Sequence, residues 1–211
     1  MERIFAVGDI HGCLDKLTLL MGMIEPDPEE DTLLFLGDYI DRGTESKRVV
    51  DYLIELAGKY RRVIFLKGNH EQMFDCYLDG TDKLWFLANG GQATMDSYLR
   101  EETRVGTSLV PEAHLKFFKG LRLYYETDKY IFVHAGLKAN IPLDKQDEWD
   151  MLWIRDEFIF SNFDFGKRVI FGHTPFYEPL VLDNKIGIDT GAVYGNKLTC
   201  LELPAVKFYS V

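Results

Sequence analysis

The sequence predicts an α/β sandwich, and three observations carry that prediction: strand and helix signals alternate through the first third, a helix-rich stretch interrupts them, and short β runs dominate after residue 123. Residues 4–7, 32–36 and 63–66 are apolar runs of the length and composition of buried strands. Between the first two, Leu14, Leu17, Leu20, Met21 and Ile24 recur at helical spacing. Val49, Leu53, Leu56 and Tyr60 mark a second helix, with Thr44 as its expected N-cap. A βαβαβ order of this kind forms a parallel sheet with helices packed on it. From about residue 79 to 120 the pattern turns helical, with patches at 83–87, 92–99 and 111–118 broken by Asn89-Gly90-Gly91 and Gly106. That segment is expected to be an insertion. Runs at 130–133, 168–171, 179–182, 186–188, 198–203 and 206–209 follow, punctuated by Asp183-Asn184 and Gly195-Asn196, and predict a second, largely antiparallel sheet. No repeat or linker divides the halves, so residues 1–211 are expected to pack as a single domain.

Composition narrows the function. With 46 % hydrophobic and 27 % charged residues the chain has the make-up of a globular protein, which excludes disorder and coiled coil. Lysine and arginine number 24 against 34 aspartate and glutamate, a net charge of −10 that suits no long polyanion, so extended nucleic acid is not an expected partner. No apolar run approaches the roughly 18 residues of a membrane span, and MERIFAVGDIHG enters a strand-like segment without a signal-peptide pattern. A cytoplasmic location without membrane contact is expected. Cys13, Cys76 and Cys200 are an odd number without CxxC spacing, as befits reduced thiols.

Residues of metal-ligating type follow the apolar runs directly, where a parallel α/β sheet builds its sites beyond the carboxyl ends of its strands. Gly8-Asp9-Ile10-His11-Gly12 follows the first run; in extended backbone Asp9 and His11 would face one side and could share an ion. The second run ends in Gly37-Asp38-Tyr39-Ile40-Asp41-Arg42-Gly43 and the third in Gly68-Asn69-His70-Glu71. Two later runs end in His134-Ala135-Gly136 and Gly172-His173-Thr174. Four of the five histidines therefore lie in glycine-flanked turns, and only His114 lies elsewhere, as an expected surface or half-buried polar group. Carboxylates, imidazoles and an amide oxygen form a donor set for Mn, Fe or Zn rather than Ca, and Asp38 could bridge two ions.

These five motifs, GDIHG, GDYIDRG, GNHE, HAG and GHT, together resemble the calcineurin-like metallophosphoesterases, specifically the short bacterial type of the phosphoprotein (serine/threonine) phosphatase branch. The resemblance runs from residue 8 to about 191 and implies a four-layer α/β/β/α sandwich of two mixed sheets. It implies two divalent metal ions, Mn foremost with Fe or Zn as alternatives, one held by Asp9, His11 and Asp38 and the other by Asp38, Asn69, His134 and His173. Arg42 and, in Leu152-Trp153-Ile154-Arg155, Arg155 would bind phosphoryl oxygens, for which the planar guanidinium fork is suited. The alternative for Arg155 is a surface ion pair with Asp156 or Glu157. His70, oriented by Asp41, would protonate the leaving group, which matters because a serine-type alkoxide is too basic to depart unaided. Many relatives place arginine before GNHE; Lys67 stands there instead, implying either a looser phosphate grip or a sheet-edge role. Asp189 is expected to support the centre rather than ligate, since six side chains with water and hydroxide fill two sites.

The implied activity is hydrolysis of phosphoserine and phosphothreonine, with phosphotyrosine in range, by direct attack of a metal-bridging hydroxide. Substrates would be phosphoproteins or phosphorylated small molecules. An alternative is symmetrical hydrolysis of dinucleoside tetraphosphates, and a third is a non-catalytic phosphate-binding protein. The insertion is expected to wall the cleft; its Trp85, Phe86 and Tyr98 could meet a peptide or a base, although their helical spacing favours a place in the core.

Overall fold

The computed structural model describes residues 3–100 and 109–211, so Gly106 lies outside the described residues. Strand β1 (Ile4–Val7), helix α1 (Leu14–Ile24), β2 (Thr32–Phe35), α2 (Ser46–Lys59) and β3 (Val63–Phe65) form the expected parallel unit, β1 pairing with β2 and β2 with β3. The GNHE motif opens α3 (Asn69–Asp79), and the insertion continues through α4 (Lys83–Phe86), a wide turn at Leu87–Gly91, α5 (Gln92–Arg100) and α6 (Glu112–Lys119). The second half comprises β4 (Tyr124–Glu126), β5 (Tyr130–Val133), α7 (Glu148–Trp153), α8 (Asp156–Ile159), β6 (Arg168–Phe171), β7 (Leu180–Val181), β8 (Lys185–Gly187), β9 (Thr199–Leu203) and β10 (Lys207–Ser210).

Two five-stranded mixed sheets result, ordered β10-β9-β1-β2-β3 and β4-β5-β6-β8-β7. The expectation of a largely antiparallel second sheet is corrected in two respects. Its central strands β5, β6 and β8 run parallel: the long connection through α7 and α8 returns the chain from β5 to β6 as a crossover, and the segment holding β7 carries it from β6 to β8. The last two runs, β9 and β10, join the first sheet instead, antiparallel to β1 and to each other. Every residue of β9 is buried, as an interior strand covered on both faces requires.

The layers follow from side-chain alternation along the strands. Phe5 and Val7 of β1 and Leu33 and Phe35 of β2 pack against α1 and α2, whereas Ile4, Ala6 and Leu34 point the other way and meet Phe132, Ile170 and Ile186 of the second sheet. Ile131, Val133, Val169 and Phe171 complete the pattern by packing under Met151 and Phe158 of the second helical layer. Three apolar clusters thus separate four layers, α/β/β/α. Among the described residues no helix is long and apolar enough to cross a membrane. The three cysteines form no disulfide.

Two local expectations are revised. Helix α2 starts at Ser46 with Glu45 at the N-cap and no side-chain cap, so Thr44 does not serve; the buried Ser46 hydroxyl instead accepts a hydrogen bond from the Asp41 amide at 3.1 Å. His114 is buried rather than superficial, with Nδ1 2.8 Å from the Tyr98 hydroxyl and Nε2 2.8 Å from Asp51 Oδ1, which ties α6 to α5 and α2. Phe86 and Tyr98 are core residues, while Trp85 is half-buried.

Lys185 of β8 is buried, and its ammonium donates to the carbonyls of Phe158 and Ser161, the latter at 2.8 Å. Desolvation brings its pKa down to about 8, against an unfolded value of about 10.4. Between those values the unfolded chain binds more protons than the folded one, so this residue makes stability rise with pH across that window. Denaturant unfolding at pH 7, 8, 9 and 10 should show wild type gaining on Lys185→Met by about 2 kcal/mol at most. A gap that stays constant with pH would refute the assignment.

Candidate metal centre

The motif turns leave β1, β2, β5 and β6 at one shared edge of the sandwich, and their backbones are contorted to aim side chains inward. His11, Asp38, Asp41, Arg42 and His173 have φ of 47°, 51°, 72°, 69° and 63°, a left-handed region that side-chain-bearing residues rarely occupy. Such strain persists only where surrounding bonds over-determine it. The Asp38 carbonyl accepts from the amides of Ile10 and His11 at 3.1 and 2.8 Å, locking the first motif to the second. Glu71 locks the second to the third: its carboxylate accepts from the amides of Asp38, Tyr39 and Gly68 at 2.9, 2.8 and 2.9 Å. Gly68 is required here, since a Cβ would lie 2.1 Å from Asp38 Oδ1.

Asp38 occupies the middle. Its Oδ2 lies 3.3 Å from His11 Nε2 and 4.0 Å from His70 Nε2, and its Oδ1 lies 3.4 Å from His134 Nε2. His11 and His134 each give Nδ1–H to a carbonyl, Ile40 and Leu36 respectively, both at 2.8 Å, which leaves Nε2 of each ring with a lone pair directed into the centre. Asn69 Oδ1 sits 3.0 Å from His134 Nε2 and 2.9 Å from His173 Nδ1. Lone-pair atoms converging at such separations suit a shared ion: donors about 2.1 Å from a metal and at right angles to each other lie about 3 Å apart. His173 Nε2 is buried without a hydrogen-bond partner.

Two groups of donors therefore lie close enough to share an ion, His11 with Asp38 and His70, and Asp38 with His134 and His173. The second coincides with the expected set, with Asn69 between its members. The first brings His11 and Asp38 together but places His70 nearer to them than Asp9, whose carboxylate turns to accept from the His173 amide at 3.0 and 3.2 Å. Arg42 reaches in as expected and donates from Nη1 to His11 Nε2 at 2.7 Å, with the Tyr194 ring 5.6 Å from its guanidinium carbon. His70 Nδ1–H donates to Asp41 Oδ2 at 2.6 Å, which directs Nε2 toward Asp38. Arg155 precedes α8 near His173, and among the described residues it forms no ion pair with Asp156 or Glu157. Lys67 pairs with Asp75 of α3 at 3.0 Å and Glu148 of α7 at 3.2 Å, a tether between helices beside the site.

The electrostatics favour cations. Burial opposes charge on Asp38, yet the imidazoles of His134, His70 and His11 hold its carboxyl well below the usual range. Its neighbours move the other way. Burial, then the charges of Asp189 and Asp38, raise Asp9 well above the ordinary value; burial and Asp38 lift Glu71 to about 8; burial foremost raises Asp189. Burial lifts Asp41 to about 7 against the Thr94 hydrogen bond. The imidazoles of His134 and His70 are pushed down by burial, and burial together with His134 takes His173 to about 2. Crowded carboxylates and neutral imidazoles are a donor set that divalent cations stabilise. The residues present fit two such ions.

Sequence reasoning assigned no role to Glu71 or Thr94. Glu71 belongs to GNHE itself, so its motif was the available signal. Thr94, in the insertion, donates its hydroxyl to Asp41 Oδ1 at 2.6 Å and accepts from the Asp41 amide at 2.8 Å. Gly90 of the insertion accepts from the Arg42 amide at 3.1 Å, and a Cβ on it would lie 2.7 Å from Arg42 Cγ.

The family described as calcineurin-like phosphoesterase matches residues 2–203 of this sequence. The chain belongs to that family. Among curated relatives, the bis(5'-nucleosyl)-tetraphosphatase PrpE [asymmetrical] of Oceanobacillus iheyensis is 26 % identical over 234 residues, covering 99 % of this chain and 92 % of that protein. The protein of the same name from Anoxybacillus flavithermus is 28 % identical over 231 residues, covering 97 % and 92 %. Among solved structures, a protein provisionally described as a diadenosine tetraphosphatase superposes with a TM-score of 0.75 at 22 % identity, covering 99 % of this chain and 92 % of that one. The cold-active protein-tyrosine phosphatase of a Shewanella species gives 0.71 at 19 % identity, covering 100 % and 77 %. Both structures share the overall fold of this chain.

Because Asp38 lies between both donor groups, Asp38→Asn should lower metal retention by more than the roughly 10–100-fold typical of losing an outer hydrogen-bond partner. Elemental analysis after loading with Mn and desalting should find at most one ion per chain, with circular dichroism unchanged. Two ions retained would show that Asp38 is not shared.

Proposed function

We propose that this calcineurin-like phosphoesterase hydrolyses dinucleoside tetraphosphates with two divalent ions, Mn foremost. The observation that carries the reading is that relatives matching 97–99 % of this chain bear the name of bis(5'-nucleosyl)-tetraphosphatases. This favours the alternative expected from sequence over hydrolysis of phosphoproteins, with one change. Those relatives are named for asymmetrical cleavage, so the expected products are a nucleoside triphosphate and a nucleoside monophosphate instead of two diphosphates. A non-catalytic phosphate-binding role would leave the His70–Asp41 pair without a purpose.

Asp9, His11 and Asp38 would hold one ion and Asp38, Asn69, His134 and His173 the other. When bound, the pair would supply Lewis acidity to the phosphoryl oxygens and lower the pKa of water. Arg42 and Arg155 would grip the phosphoryl oxygens; Arg42 has to leave His11 Nε2, to which it now donates. The guanidinium fork then matches two oxygens of one phosphate. Asp41 fixes the His70 ring through Nδ1, so that Nε2 is the atom that delivers a proton to the departing oxygen. Thr94 holds Asp41 in turn.

A panel of diadenosine tetraphosphate, phosphoserine, phosphothreonine and phosphotyrosine peptides and p-nitrophenyl phosphate, offered to Mn-loaded protein, tests the reading. The tetraphosphate should lead in kcat/KM by at least about tenfold, with ATP and AMP as products. A phosphopeptide in the lead would overturn it in favour of protein dephosphorylation, and ADP alone would restore symmetrical cleavage. The leaving group probes His70 separately. A nucleotide phosphate departs readily and a serine alkoxide does not, so His70→Ala should cost roughly ten- to a thousandfold more on the phosphoserine peptide than on the tetraphosphate. Equal losses would make His70 a positioning group.

A further inference from the structure

All three tryptophans of the chain meet beside the metal centre. Trp149 and Trp153 lie one turn apart on α7, and Trp85 comes from α4 of the insertion. The ring centroids of Trp149 and Trp153 are 5.1 Å apart, those of Trp85 and Trp153 5.3 Å and those of Trp85 and Trp149 6.2 Å, and the three planes agree within 21°. Trp153 fixes the cluster to the site: its indole N–H donates to Gln72 Oε1 at 2.7 Å, and its ring meets His173 edge-on at 6.1 Å. Trp149 at the outer end remains 54 % exposed despite its two ring contacts.

From this arrangement we infer that the cluster is a stacking platform for one nucleobase of the substrate, with Trp149 as its outer, specificity-determining member. Near-parallel indoles with an exposed end offer flat π surface on which a base can stack. The platform begins at His173, so a nucleotide whose phosphate lies at the centre has its base within reach of Trp149. Charge selects which part of the substrate goes where. Asp147, Glu148 and Asp150 flank Trp149 in the chain, and the lysines that meet them, Lys67 at 3.2 Å from Glu148 and Lys138 at 3.8 Å from Asp150, are paired there, a setting that suits an uncharged base better than a phosphate. Packing against the core accounts for the half-buried Trp153 but not for an exposed partner held parallel to it.

The inference rests on the nucleotide reading above, and the test separates the two. Tryptophan emission is followed while AMP is added to the Mn-loaded protein, with ribose 5-phosphate as the base-free probe. AMP should quench emission saturably and ribose 5-phosphate should not. Trp149→Ala should weaken AMP binding about tenfold and raise KM for diadenosine tetraphosphate by a similar factor, the loss falling in KM rather than kcat, while Trp149→Phe restores most of both. Circular dichroism checks that each variant is folded. Equal quenching by both probes, or AMP affinity and KM indifferent to Trp149→Ala, would overturn the platform while leaving tetraphosphate hydrolysis intact. Wild-type protein that does not cleave the tetraphosphate would sink the functional reading alone, and the AMP titration would still decide the platform.

Discussion

The centre depends on Asp38 keeping its charge where almost no water reaches it. Burial alone would protonate this carboxylate; the His70 amide, which donates to Oδ1 at 3.1 Å, and the imidazoles of His134, His70 and His11 pull the other way, and because burial holds His134 and His70 toward the neutral form a bound cation would be the fuller counter-charge. Its charge then falls on the neighbours. Asp9, Glu71 and Asp189 are all buried within its field, and each is driven toward the neutral form. A cluster of this sort is unstable as a set of anions and comfortable as a set of ligands, so cation uptake and proton release are two sides of one event. The His134 and His11 tautomers are fixed in advance by the carbonyls of Leu36 and Ile40, which removes an ordering cost from that event.

The same constraint explains the backbone. Ligands drawn from five separate turns converge only if several residues adopt left-handed φ, and each such residue costs of the order of 1 kcal/mol or more. The cost is met by bonds between turns instead of within them: Asp38 to the first motif and Glu71 to the amides of the second and third. Thr94 and Gly90 extend that mutual support into the insertion, so the helices between GNHE and HAG are part of how Asp41 and Arg42 are aimed. An exchange of the insertion would therefore disturb Asp41, the partner of His70, and Arg42 together.

What was legible in the sequence was whatever is encoded locally. The strands of the βαβαβ unit, the helix face of Leu14 to Ile24 and the motif turns are set by neighbours a few residues apart, and all of them are present. Partnership over long distance was not legible. β9 and β10 read correctly as strands, but nothing in their own residues distinguishes the first sheet from the second; the alternation of Cys200 toward the helices and Leu201 toward the other sheet fits either one. His114 was misjudged for the same reason, because its burial comes from Asp51 and Tyr98, which lie on other helices. Of the candidate ligands, Asp38, Asn69, His134 and His173 converge as their turns suggested. Asp9 and His11 were paired by two-residue alternation, but His11 has a left-handed φ of 47°, where the extended-strand argument for that pairing does not apply.

The proposed substrate is a polyanion and the chain carries a net charge of −10, two facts that the layout of the site reconciles. At the proposed site Arg42, Arg155 and the divalent ions would supply the positive charge, while Lys67 beside it is already paired with Asp75 and Glu148. The net negative charge of the chain does not draw phosphate to the rest of the surface, so contacts to uncharged parts of a substrate count there. Trp149, Trp153 and Arg155 lie on one short stretch at α7 and the start of α8, and Trp153 couples that stretch to His173. A phosphate contact and a base contact carried by the same stretch of chain set a fixed spacing between the two ends of a nucleotide. A phosphorylated side chain has no group at the second position. Discrimination between the two substrate classes can therefore reside in α7 without any change to the phosphoryl chemistry they share.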